Sequence, residues 1–561
     1  MKKFKILFLF SSLFILLFTN LNAIAQNTFT IKPHNRTHML TREEYPMKAD
    51  FNLKDKNITN VQLDLHLQCP ETGCSDWDYS INVVLRTHQN GHKRDYQLGR
   101  MITPYSGDYN RGKNASKWDH IWSWNVTEYL PLLRQDSIEI VMQYEGYQDG
   151  FLATTDFIFT EDNNAMKDTK KFIGVEQVYY DYYPFGRPDT TIDEYLGEKT
   201  IVLPKGTKQV LSRLQISGHG EDTLNAAAEF LKKSFVYVAN NQVVDNSAVW
   251  RDDCGCNPIQ PQGGTWIYNR SGWCPGTKVL EYYYDLTPFV ENGKLNIKML
   301  FEYYNNQGLG LPGYQIANEL FFIADKHYKH KNIDDVFGAG KDNNIAMQET
   351  HYLPKKFNLV FKTNNMGDDK YAIFEQDKNR KDYNKPLYER QQMSPQSEYK
   401  QEVNLSEGNY MIEVTDNGGD GMSWWANPDQ GDGYVLIYNE DMTEVLEAFD
   451  PDFGSKMRYY FTTTEDNSKI KHSQEKLVVL QDRDAQTFRV IMFNAGKVAN
   501  PMNVKIVNRK TKDVVYDATY NAKGSFDQTI YYDRYEDGYY QVSVKCGNLE
   551  QHKTFIKRTE K

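Results

Sequence analysis

Apolar and polar residues alternate along most of this chain with the period of two that belongs to a half-buried strand. In Val61-Gln-Leu63-Asp-Leu65-His-Leu67 every second side chain is apolar. The same alternation returns at Ile138-Glu-Ile140-Val-Met142-Gln-Tyr144-Glu145, Leu295-Asn-Ile297-Lys-Met299-Leu-Phe301, Tyr410-Met-Ile412-Glu-Val414 and Tyr539-Tyr-Gln-Val542-Ser-Val544. Helical periodicity is nearly absent, and Gly, Asn and Asp fill the connections. Together these features predict an all-β protein made of sandwiches. Pattern alone does not separate jelly rolls from immunoglobulin-like sheets.

With 561 residues the chain exceeds what one hydrophobic core usually holds. Polar segments poor in large aliphatics at 161–171, 329–349 and 463–475 predict seams, and so four units at roughly 27–165, 172–345, 350–465 and 475–561. Ahead of them, Met1-Lys2-Lys3-Phe4-Lys5, an apolar run over 6–18 and Ala23-Ile24-Ala25 read as a signal peptide over residues 1–25. Cysteine is missing at the cleavage point, so no lipid is expected there. No later apolar run is long enough to span a bilayer. The expectation is a secreted protein: periplasmic, cell-surface or extracellular. A net charge of −10 argues against nucleic acid as a partner.

Export permits disulfides, so the cysteines at 69, 74, 254, 256, 274 and 546 are bridge candidates first. Cys69 with Cys74 is the expected pair and Cys254 with Cys274 a second; Cys256 and Cys546 have no assigned partner. Their spacing is not that of a zinc site. The short Cys69–Cys74 loop is followed at once by Trp77-Asp78, a carboxylate beside an indole. On those residues alone a surface turn is the simpler reading. None of G-x-S-x-G, H-E-x-x-H, a phosphate-cradling loop or a dinucleotide fingerprint occurs, which turns attention from serine hydrolases, zinc proteases and nucleotide enzymes to paired carboxylates.

The candidates are Asp78, Glu145 and Glu229. Glu145 closes a strand on the face opposite its apolar residues, where a solvated strand-end acid is the plainer account. Glu229 follows Ala226-Ala-Ala, where a short helix with the acid in solvent explains the same residues. Asn269-Arg270-Ser-Gly-Trp273-Cys274 would place Arg270 and Trp273 on a loop held by Cys254–Cys274, suited to polar rings or peptide carbonyls or simply structural.

In order along the chain stand Cys69-Pro-x-x-x-Cys-x-x-Trp-Asp78, Gly99-Arg100-Met-Ile-Thr103-Pro104-Tyr105, Ile216-Ser-Gly218-x-Gly220, Ala-Glu229-aromatic, Asn257-Pro258-Ile259 and Gly272-Trp273-Cys274-Pro-Gly276. Over about residues 55–340 this resembles the peptide-N-glycosidase F family. The resemblance implies two adjacent eight-stranded antiparallel jelly rolls with the active site at their interface, no cofactor for catalysis, a monomer, and N-glycosylated proteins or glycopeptides as partners. Members hydrolyse the amide that links an N-glycan to asparagine, leaving aspartate and a glycosylamine. Asp78 matches the principal catalytic acid and Glu229 the second. The third falls at Glu145, with Gln143 as the ungapped alternative. Arg270 matches an active-site arginine that would bind peptide or glycan polar groups, and Trp77, Trp273, His219 and Tyr147 fall at substrate-facing positions.

The chain also departs from the family. Ala227-Ala228-Glu229-Phe230-Leu231 lacks the two cysteines that flank the second acid there, and His219 and Tyr147 stand where the family has tryptophans. A noncatalytic glycoprotein-binding protein on the same fold is the competing reading.

Downstream, Asp416, Asp420, Asp429 and Asp432 sit on glycine-rich turns around Trp424-Trp425. They are candidate ligands for a structural calcium, and turn chemistry explains them as well; the tryptophans suit sugar stacking. The last unit is similar to the immunoglobulin-like C-terminal sorting domains of type IX secretion.

Overall fold

The computed structural model describes residues 27–557 except 90–91, 107–118, 163–170, 188, 222–226, 261, 307–309, 334, 341–350, 377–384, 425–427, 471–475, 494–499, 523–524 and 547–548. The expected signal peptide, residues 1–25, and Trp425 lie outside the described residues. The alternating segments are strands: Ile58–Gln68, Ile138–Tyr144, Lys294–Phe301, Asn409–Asp416 and Gly538–Cys546. Among the described residues helix is confined to short turns such as Ile192–Leu196, which Thr191 and Glu194 close with a reciprocal capping box.

The first eight strands, β1 (Asn27–His38), β2 (Glu44–Ala49), β3 (Ile58–Gln68), β4 (Ser80–Gln89), β5 (His92–Ile102), β6 (Asp119–Asn125), β7 (Ile138–Tyr144) and β8 (Leu152–Glu161), form two facing sheets in the orders β1-β8-β3-β6 and β5-β4-β7-β2, a jelly roll. Two short edge strands come from far downstream. Thr277–Lys278 pairs with Ile102 and Met101, and Ala339–Gly340 pairs with Ile121 and His120. The second sandwich repeats the order with strands from Phe172–Pro184 to Gly313–Ile323. Sheets of five and four strands between Tyr352 and Thr464 make the third, and sheets of three and four between Lys476 and Lys557 make the fourth. Each has its own core. The third and fourth meet through Val360, Leu436, Val478 and Ile491.

The junction of the first two sandwiches follows from one strand. Gln209–His219 is buried along nearly its whole length. Its Val210, Leu214 and Ile216 enter the second core. Its other face carries Arg213, Gln215 and Ser217, and these meet the first sandwich. Arg213 donates to the carbonyls of Gln97 and Leu98 and pairs with Glu281 at 2.6 Å. The neighbouring strand adds Glu319, whose Oε1 accepts from the Gln97 amide at 3.0 Å. A polar seam whose buried charges are paired, Arg213 with Glu281 and Glu319, fixes one docking geometry, because sliding either sheet would strand those charges.

Candidate active site

Asp78 sits just past the Cys69–Cys74 bridge, whose Cα atoms are 4.8 Å apart. Its turn is fixed on both sides: Thr103 Oγ1 donates to the Trp77 carbonyl and accepts from the Tyr79 amide, each at 2.8 Å. Gln148 Oε1 accepts from the Asp76 amide at 3.0 Å. This aims Asp78 toward the second sandwich.

Glu229 arrives from the other side on a turn, not a helix, and its side chain is 17% exposed instead of solvated. The turn packs against Gly218, where an added Cβ would lie 1.9 Å from the Ala228 carbonyl oxygen. Glycine is required there by this approach. Gly272, at φ +83°, lets the chain reverse beneath the same turn. Between the two, the Ser271 amide donates to the Glu229 carbonyl at 2.9 Å.

Arg270 joins the two acids. Its Nη1 donates to Asp78 Oδ2 at 3.2 Å and to Glu229 Oε1 at 3.0 Å. Nη2 donates to the Thr265 carbonyl and Oγ1, and Nε to the Tyr268 carbonyl at 3.4 Å. Its guanidinium lies over the rings of Phe230 and Trp273. With a side chain 0% exposed and its donors turned inward, Arg270 orients the acids and has no face left for a substrate.

Burial pushes the Glu229 carboxyl up to about 7, against the pull of Arg270. Burial raises Asp78 as well, opposed by Arg270 and the Tyr105 hydroxyl. One guanidinium nitrogen thus serves two partly desolvated carboxylates, and the charge on Asp78 adds to the rise at Glu229.

Glu145 lies just past the end of its strand and is held from both sandwiches. Asn82 Nδ2 donates to its Oε1 at 3.0 Å and Gln315 Nε2 at 3.3 Å. Behind it, the buried Arg100 donates to Asn82 Oδ1, Ser217 Oγ and the Gln315 carbonyl. Burial raises the Glu145 carboxyl, with Arg100 opposing. Gln143 is elsewhere, donating to Glu44 and Asp95.

His219 hydrogen-bonds Ser217 Oγ at 2.7 Å and stacks on Trp273. Burial pulls its imidazole down to about 3, so it is neutral. Trp273, expected to face substrate, is 2% exposed and donates its indole to the Gly218 carbonyl; it is a floor under Arg270 and His219. Trp77 and Tyr147 are 54% and 64% exposed and form an aromatic rim, Trp77 meeting the edge of Tyr105 and Tyr147 lying under Arg42.

The motif reading gave no role to Arg100, Asn82, Gln315, Thr103 or Tyr105. Arg100 had a signal: it is the one charged residue in the otherwise uncharged, buried half of its strand, residues 96–102.

The Cys254–Cys274 bridge is present, with Cα atoms 5.4 Å apart, and Cys256 is a buried free thiol. The side chain of Cys546 lies outside those described. The loop between Cys254 and Arg270 is gripped by the third sandwich. Gln260 Nε2 donates to the Arg458 carbonyl, Asn269 Nδ2 to the Gly419 carbonyl, and the Ser455 amide to the Asp252 carbonyl. Ile267 enters the third core, with Trp266 and Tyr268 packed against it.

The four aspartates expected around calcium do not converge. Asp432 binds Ser423 and the Arg483 amide, and Asp429 is exposed. Asp416 accepts from the amides of Gly418, Asp420 and Gly421.

Residues 189–318 match the family profile described as peptide-N-glycosidase F, C terminal. A curated relative, the peptide-N(4)-(N-acetyl-beta-D-glucosaminyl)asparagine amidase F of Elizabethkingia miricola, is 24% identical over 300 residues, covering 51% of this chain and 81% of that protein. Over about half of its length this chain is similar to that amidase. Among solved structures, PNGase F from Flavobacterium meningosepticum is 22% identical, covering 53% of this chain and 96% of that one with a TM-score of 0.45. The structure of PNGF-II is 16% identical, covering 53% and 65%, with a TM-score of 0.41.

Proposed function

We propose that this chain is a secreted amidase that hydrolyses the bond between an N-glycan and its asparagine, with N-glycoproteins or glycopeptides as substrates. The observation that carries the reading is the meeting of Asp78 and Glu229, from two different sandwiches, on one buried nitrogen of Arg270. A purely structural ion pair would gain little from two acids whose burial raises both.

In the reaction a water oxygen bonds to the side-chain amide carbon and the carbon–nitrogen bond breaks. The nitrogen leaves with a proton as the glycosylamine, and the carbonyl carbon becomes the aspartate carboxylate. Asp78 serves as general acid and base for this attack. Glu229 and Glu145 orient the water or the first N-acetylglucosamine. Arg270, Trp273 and His219 act through the acids as positioning residues, and Trp77 and Tyr147 offer stacking faces at the rim. No catalytic cofactor is required by these steps.

The test is to incubate the purified chain with a defined N-glycopeptide and analyse both products by mass spectrometry. Aspartate at the former glycosylation site with an intact released glycan supports the amidase. Retained binding without conversion favours the glycoprotein-binding alternative. A peptide that keeps one N-acetylglucosamine would make the chain a glycosidase and overturn the proposal.

A further inference from the structure

At one end of a strand pair the third sandwich buries two facing acids. Asp369 and Asp416 are partners on adjacent antiparallel strands, and both are 1% exposed. Like charges directly opposite are destabilising even at a surface. Neither Asp369 oxygen receives a hydrogen bond of normal geometry, although the Asn364 amide is nearby. Asp368 Oδ1 is likewise buried without a hydrogen bond.

The charges with the largest effect on Asp369 are negative: Asp416, Asp368 and Asp420. Among the described residues neither Asp369 nor Asp416 forms an ion pair. Asp416 and Asp420 face a common point, for a Cβ placed on Gly418 would lie 3.1 Å from Asp420 Oδ1 and 3.3 and 3.4 Å from the two Asp416 oxygens. Burial and the neighbouring acids push Asp369 up to about 8 and burial pushes Asp416 up to about 6.

A buried carboxylate with no donor and no counter-charge costs several kcal/mol unless it is protonated or meets a cation. Oxygen ligands on two glycine-containing turns, 367–369 and 416–421, suit a large, hard ion of flexible geometry better than magnesium, which demands a rigid octahedron. Among the described residues no three acidic, imidazole or thiol groups stand close enough together to hold a metal ion as they are. The ion would therefore draw the turns inward and complete its shell with backbone carbonyls and water.

We infer that Asp369 and Asp416, with Asp368 and Asp420 closing from the turns, form a calcium site. It differs from the set expected from sequence spacing, since Asp429 and Asp432 are not in it. The same turn carries the Gly419 carbonyl that accepts from Asn269, next to Arg270, so the ion would also stiffen the support of the candidate active site.

The test uses the full chain stripped of metal with a chelator and titrated calorimetrically with calcium chloride, then with magnesium chloride. The expected result is one calcium bound per chain with Kd at or below about 10⁻³ M, weaker magnesium binding, and a higher melting temperature with calcium. Asp369→Asn and Asp416→Asn should each weaken binding about tenfold or more, while Asp429→Asn leaves it unchanged. No saturable calcium binding by the unmutated chain up to about 10 mM, an order above the weakest extracellular sites, would overturn the proposal even if the variants fail to fold. Equal weakening by Asp429→Asn would place the ion elsewhere and overturn it too. An Asp369→Asn chain that melts higher, beside an unmutated chain that binds no calcium, would mean the cluster is simply protonated.

Discussion

The two acids that share Arg270 are held by opposite means. Asp78 is braced from within its own segment: a disulfide five residues long in separation, then Thr103 and Gln148 on the turn. Glu229 has no such staple, and its turn is fixed by tertiary contacts alone, from Gly218, Ser271 and Arg270. Those contacts depend in turn on a loop whose Ile267, Gln260 and Asn269 are anchored in the third sandwich. A local brace survives changes elsewhere, whereas a tertiary brace makes the second acid sensitive to distant substitutions and to the docking of another domain.

The comparison breaks most severely at Arg270. Arg270→Met leaves two buried carboxylates without their cation, which costs about 3–5 kcal/mol of stability and lowers turnover on the order of 10²–10³-fold. Chemical denaturation and single-turnover assays check both. Next is pH. Glu229 is raised in the folded state from its usual 4.5 to about 7, so the stability it contributes is complete below pH 4.5 and lost as pH rises through 7. Glu229→Gln does not titrate. The variant should therefore gain on the unmutated chain between pH 4.5 and 8, by up to about 3 kcal/mol, read from denaturation midpoints across that range.

Gly218→Ala pushes against the Ala228 carbonyl and should cost about 1–3 kcal/mol, with a larger fall in kcat than any change at the Asp78 turn of equal stability cost. Removing the Cys69–Cys74 bridge by Cys69→Ser with Cys74→Ser should cost about 2 kcal/mol, because so short a loop confines little chain entropy. The smallest effect separates the third-acid alternatives. Gln143→Ala should change kcat/KM less than about twofold, whereas Glu145→Gln should lower it at least tenfold; a reversed pair of results would return the third position to Gln143.

Much of this was legible from sequence because strands announce themselves by alternation and because Asp78, Glu229 and Arg270 lie within short motifs. The partners of Glu145 were not, since Asn82, Arg100 and Gln315 come from three strands spread over two sandwiches, and only sheet register brings them together. Trp273 was misplaced because a motif does not reveal which side of a loop faces solvent; the packing of His219 and Arg270 decides it. The acidic cluster of the third sandwich shows the same limit. Sequence proximity grouped Asp416 with Asp429 and Asp432, while the partner that matters, Asp369, is nearly fifty residues away and adjacent only across the strand pair.

The central claim is that Asp78, set by its short bridge against Arg270 and Glu229, performs the hydrolysis. The most direct measurement compares the unmutated chain and Asp78→Asn on one N-glycopeptide in ¹⁸O-labelled water. The account predicts labelled aspartate and free glycosylamine from the first and no conversion from the second, with both proteins folded. Full activity in Asp78→Asn, or release of the glycan without label in the peptide, would contradict it.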